Sequence, residues 1–138
     1  MRLMLPMPPS VNNQYVTVNG RRALSKEAAR FKRTVRDHLR REIAAGRIGS
    51  DELARLEQGY LALFIDFFFE TPLRRDLDGG LKITQDAICE TLDINDNRVV
   101  DIHLVKRIDP LRPRIEVELE SIERWEFDQQ YEVLSTKD

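Results

Sequence analysis

YLALFIDFFF, residues 60–69, is the stretch on which the fold turns. Ten residues are dominated by aromatic and aliphatic side chains, and Asp66 carries the one charge. Such a run suits a strand buried near the middle of a sheet. It is far short of a membrane span of roughly 20 apolar residues, and Thr71-Pro72 ends it.

Downstream, LKITQDAICETL (81–92) reads as a helix with Leu81, Ile88 and Leu92 facing inward and Thr84 or Gln85 beside them. Asp93 to Asn97 reads as a polar turn. Val99 to Ile108 and Arg114 to Ile122 read as two more strands, the second alternating through Ile115, Val117 and Leu119. Upstream, SKEAARFKRTVRDHLRREIAA (25–45) places Ala28, Phe31, Val35, Leu39 and Ile43 at three- and four-residue steps. That is one long amphipathic helix, capped by Ser25 and stopped by Gly46. Its outer face carries Lys26, Arg30, Lys32, Arg33, Arg36, Arg40 and Arg41. Asp51 to Glu57 adds one or two helical turns. At the start, Arg2 to Met7 reads as a strand ended by Pro8-Pro9. PPSVNNQY is a loop, and Asn19-Gly20 joins Tyr15–Asn19 to Arg21–Leu24 as a hairpin. The pattern predicts an α+β fold: a mixed sheet with a long basic helix and a shorter helix on one side.

At 138 residues the chain has room for one domain. We expect that domain over residues 1–122, with a polar, acidic C-terminal tail at 123–138. A chain this small buries only about two-thirds of its unfolded surface and would gain from pairing with a second copy. One cysteine excludes an internal disulfide, and one cysteine with two histidines argues against structural zinc. MRLMLPMPPS lacks an apolar run followed by a small-residue cleavage site. A cytoplasmic chain that does not enter a membrane is expected.

Net charge is −2, but it is unevenly spread. Residues 1–50 hold 11 Lys/Arg against 3 Asp/Glu, a net of +8; residues 51–119 hold 9 against 15, a net of −6. A basic third beside an acidic middle suits a polyanion surface next to a metal site. Taken alone, the charge pattern is better explained by a merely solvated helix face.

RRDLDGGLK (74–82) carries the candidate chemistry. Asp76 and Asp78, two residues apart in extended chain, could aim both carboxylates at one point. Hard oxygen donors of this kind suit Mg²⁺ or Mn²⁺. Gly79 and Gly80 permit close backbone approach. Lys82 would project from the first turns of the following helix to offset phosphate charge, and Asp86, four residues on, could hold it. DINDNR (93–98) offers Asp96 as a third carboxylate. Alone, these signals are weak: Asp78 would also serve as a helix cap, and Asp96-Asn97 as an ordinary turn pair. Neither loop has the glycine and glutamate spacing of a calcium EF-hand. His38 and His103 read as structural or surface residues, and Cys89 as a small core residue.

Three blocks together resemble the RusA family of Holliday-junction resolvases. They are LPMPPSVNNQY (5–15), RRDLDGGLK (74–82) and DINDNRVVDIHLVK (93–106). The resemblance covers roughly residues 1–120. It implies a RusA-like homodimer that uses Mg²⁺ and nicks opposed strands of a four-way DNA junction, in recombination and repair. It also implies that Asp76, Asp78 and Asp96 hold the metal and that Lys82 is catalytic. Asn12, Asn13, Arg21, Arg22, Lys26, Arg30, Lys32, Arg33, Arg74 and Arg75 are then expected to contact DNA, and Asp86 to support the site. No small-molecule cofactor is expected. The chain departs from the family at Gly79, where Asn is usual, and at Asn95, where Asp often precedes the third aspartate. Two rivals stand beside this reading: a junction- or DNA-binding protein of the same fold with weakened catalysis, and a hydrolase acting on RNA.

Overall fold

The computed structural model describes residues 1–73 and 75–128. Four strands form the main sheet: β1 (Arg2–Leu5), β4 (Tyr60–Phe69), β5 (Val99–Ile108) and β6 (Arg114–Ile122), in the order β1-β6-β4-β5. β4 runs antiparallel to β6 and parallel to β5, so the sheet is mixed. Parallel neighbours need a crossover rather than a tight turn. Helix α3 (Leu81–Leu92) supplies it, and the two loops flanking α3 carry the acidic residues singled out above. β2 (Tyr15–Val18) and β3 (Arg21–Leu24) form a separate two-stranded hairpin. Its turn places Asn19 and Gly20 at positive φ, the conformation in which Asn-Gly is favoured.

The core lies between one sheet face and the helices α1 (Lys26–Ala44) and α3, with α2 (Ser50–Leu56) closing one end. Leu61, Leu63, Ile65, Phe67 and Phe69 alternate inward along β4, facing Ala28, Phe31, Val35 and Leu39 of α1. Each large side chain so buried contributes about 1.5–3 kcal/mol. On the opposite face, which no described helix covers, Phe64, Asp66 and Phe68 stay half-buried. No described helix is long and apolar enough to cross a membrane.

The predicted α+β class and mixed sheet hold, with three helices among the described residues where two and a fragment were expected. Four details differ. β1 ends at Leu5, because Pro6 follows and has no N–H to carry the ladder on to Met7. The hairpin leaves the main sheet. In α3 the deeply buried set is Ile83, Thr84, Ala87, Ile88 and Cys89, whereas Leu81 and Leu92 are only partly covered. The helix faces both the sheet and α1, which widens its buried arc. Finally, β4 stops at Phe69, so Asp76 and Asp78 do not extend a strand: the Asp76 and Asp78 carbonyls accept the Gly79 and Leu81 N–H groups, and the pair sits in a turn. Within the tail expected at 123–138, Phe127 packs edge-on against Tyr60 and Trp125 against Phe127. Residues 129–138 of that tail lie outside the described residues.

Candidate active site

Lys82 stands in the first turn of α3, and Asp86 follows one turn later on the same side. The Lys82 ammonium donates to Asp86 Oδ1 at 2.8 Å and lies 3.6 Å from Asp96 Oδ2. Hydrogen bonding to Asp86, its charge, and the more distant Asp96 together raise the Lys82 pKa above the ordinary lysine value. The side chain is largely solvent-exposed, so water screens the pair and it adds little to stability. Lys82 is therefore a cation at neutral pH, suited to charge stabilisation.

Asp96 opens a single 3₁₀ turn (Asp96–Arg98) that folds back along α3. Asn95 caps this turn through its side-chain oxygen, which accepts the Asn97 N–H at 3.0 Å. An aspartate there would accept the same bond. Arg98 anchors the turn by donating to the Gly59 and Leu56 carbonyls, each at 2.7 Å.

The Asp76–Gly80 turn is held from the opposite side by the opening loop. Arg75 donates to the Pro8 carbonyl at 2.9 Å, and burial lowers its guanidinium from the ordinary arginine range. Gln14, 3 % exposed, donates to the Pro9 carbonyl at 3.0 Å and to the Gly79 carbonyl at 2.9 Å. A Cβ on Gly80 would sit 2.5 Å from Pro8 Cγ and 3.1 Å from Phe67 Cε1. Close approach is thus required at Gly80. At Gly79 a Cβ would meet only the Asp76 carbonyl at 3.5 Å, an ordinary van der Waals contact. Gly80, not Asp78, is the helix N-cap, and it brings no side-chain cap.

Lys82, Asp86 and Asp96 are thus brought together. Asp76 and Asp78 are exposed, and no ion pair ties either carboxylate among the described residues. Three acidic, histidine or cysteine side chains do not converge as a preformed metal cage anywhere among the described residues. The donor set still fits Mg²⁺, which is held through one or two carboxylates and keeps several waters.

Of the expected DNA contacts, Asn12, Asn13, Arg21, Arg22, Lys26, Arg30 and Arg33 are exposed. Arg22 stacks over the Tyr15 ring at 3.8 Å. Lys32 pairs with Glu90 at 2.9 Å and so links α1 to α3. Lys32, Arg33, Arg36 and Arg40 line a concavity of about 510 Å³ between those helices. Arg74 lies outside the described residues. Reasoning from sequence missed Gln14, whose neighbours Asn12 and Asn13 were chosen instead. Nothing in the residue type distinguishes a buried strut from an exposed contact.

A search of curated proteins returned no match. The family model for endodeoxyribonuclease RusA matches residues 6–120. The match runs from the opening prolines through both acidic loops to the end of β6's core-facing alternation. RusA nucleases resolve Holliday junctions and generally use Mg²⁺, and this chain belongs to the RusA endodeoxyribonuclease family.

Proposed function

We propose that this chain is a Mg²⁺-dependent endonuclease that resolves four-way DNA junctions by paired symmetric nicks, working as a homodimer. The observation that carries the reading is the Lys82 cation, held by Asp86 beside Asp96 at the base of the Asp76–Gly80 turn. Mg²⁺ at Asp76, Asp78 and Asp96 would supply Lewis-acid stabilisation of the phosphodiester under attack by water. Lys82 offsets the charge that grows on the phosphoryl oxygens, and Asp86 keeps its ammonium oriented. The exposed arginines and lysines of α1 and of the hairpin engage backbone phosphates, which position the junction without reading its sequence. Two isologous subunits would match the twofold symmetry of an open junction. β5 is a ten-residue edge strand with Ile102, Val105 and Ile108 exposed, which favours pairing through strands.

The first experiment is cleavage of a synthetic four-way junction beside a linear duplex of the same sequence, with Mg²⁺ and with EDTA. Paired nicks in the junction alone, abolished by EDTA, are expected. Asp76→Asn, Asp78→Asn and Asp96→Asn should each retain junction binding and lose cleavage by about 10²-fold or more. Wild-type cutting rates in any of the three would remove that residue from the site. A second reading, a junction-binding protein of weakened catalysis, rests on the two departures from the family pattern, Gly79 and Asn95. Tight junction binding without nicking in any divalent metal would select it.

A further inference from the structure

Gln14 joins three parts of the molecule. Its side-chain amide has two N–H donors, and both are engaged: one carbonyl belongs to Pro9 of the opening loop, the other to Gly79 within the Asp76–Gly80 turn. Its own carbonyl accepts the Ser25 N–H at 2.9 Å. Ser25 in turn caps α1, accepting the Ala28 N–H at 3.0 Å and donating to the Asn13 carbonyl. Tyr15, the next residue, begins the hairpin that carries Arg21 and Arg22. The basic hairpin, the N-terminus of the basic helix and the aspartate turn therefore meet at one buried residue: its main chain holds the first two, and its side chain reaches the turn.

The chemistry of the residue fits this task narrowly. Two carbonyl acceptors require two donors from one short, neutral group. Glutamate would bring acceptors to acceptors, and asparagine is one methylene too short to span both. The rest of the contact between the two loops, Arg75 on the Pro8 carbonyl and Pro8 against Gly80, fixes the same pair of segments without reaching the hairpin.

We propose that Gln14 is a positioning residue for strand cleavage: it ties the DNA-engaging hairpin and helix α1 to the turn bearing Asp76 and Asp78, so that seating the junction sets the carboxylates. This rests on the cleavage reading above. It concerns only how the turn is held, not which groups perform the chemistry.

Gln14→Met preserves length and volume and removes both donors. Its single-turnover cleavage at saturating enzyme should fall about 10- to 100-fold, as displacements near 1 Å do at reacting groups. Junction affinity by gel shift should stay within twofold. A merely structural role would lower both together, or neither. Amide exchange in free protein supplies the second readout: peptides covering residues 76–81 should exchange faster in Gln14→Met than in wild type. If Gln14→Met does not fold, Gln14→Asn, which keeps both donors on a shorter arm, is measured in the same way. Full cleavage by the folded variant, or unchanged exchange over residues 76–81, overturns the inference. A wild-type protein that cuts no junction would sink the cleavage reading instead, and the exchange comparison would still decide the tie.

Discussion

At the scale of single residues, Gly80 and Cys89 make the sharpest tests of packing. Gly80 has φ −104°, open to any residue, so what demands glycine is space and not backbone conformation. Its neighbour Pro8 is fully buried and cannot retreat. Gly80→Ala should therefore destabilise the fold by about 1–3 kcal/mol, read as a lower urea midpoint with unchanged slope. Gly79→Ala meets no such obstacle and should cost far less. Cys89 is buried in α3, and burial, with lesser help from Asp96 and Asp86, pushes its thiol up to about 11. The folded state therefore holds the thiol proton more tightly than the unfolded chain. That contribution to stability is complete below the ordinary thiol value of 9.0 and is lost as pH rises toward 11. Because the thiolate is the reactive form, alkylation at pH 8 should be about 100-fold slower in native than in urea-unfolded protein. Equal rates would place Cys89 at the surface.

At the scale of elements, α1 depends on its first turn. Ser25 is the N-cap in extended conformation, and its hydroxyl is also the bond that fastens the opening loop to the helix. Ser25→Ala removes both interactions. Thermal or urea unfolding should show a loss of about 1–2 kcal/mol, the upper part of the range for an N-cap. A loss below a few tenths would mean that the loop holds the helix start without the hydroxyl. The Lys32–Glu90 pair that bridges α1 and α3 is half-exposed and should matter little, since such pairs contribute about 0–1 kcal/mol. The main work of holding α3 falls to Ile83, Ala87 and Ile88, and to Thr84, whose hydroxyl donates to the Gly80 carbonyl at 2.7 Å. That bond also locks the helix start beneath the aspartate turn.

At the scale of the molecule, charge is segregated by surface. α1 and the hairpin present cations; the two loops flanking α3 present carboxylates. Junction binding through the cationic side should be steeply salt-dependent. With 6–10 phosphate contacts, affinity should fall about 10³- to 10⁵-fold between 50 and 200 mM salt. Replacing Arg30 and Arg33 by alanine should flatten the log–log slope by about 2. A slope that does not respond would put the DNA on another face. Elements were legible before topology was. The ranges of β5, β6 and α1 follow from alternation and three-to-four spacing to within a residue. What escaped was the hairpin's separation from the sheet, because Val16 and Val18 alternate like core strands yet remain exposed.

By itself the sequence determined the α+β class, the central strand 60–69, the long capped helix and the acidic blocks, because periodicity and turn chemistry are local properties. The RusA resemblance followed from the same local strings. Only the tertiary structure decided which carboxylates meet. Lys82 reaches Asp96 because the 93–98 loop folds back along α3, a consequence of the parallel β4–β5 pairing and its crossover. The strut at Gln14 was likewise decided by the fold, since two carbonyls distant in sequence converge on one amide once Pro8 packs on Gly80. Spacing along a chain encodes helices and strands; the meeting of residues 14 and 79 depends on how the packed elements close around them.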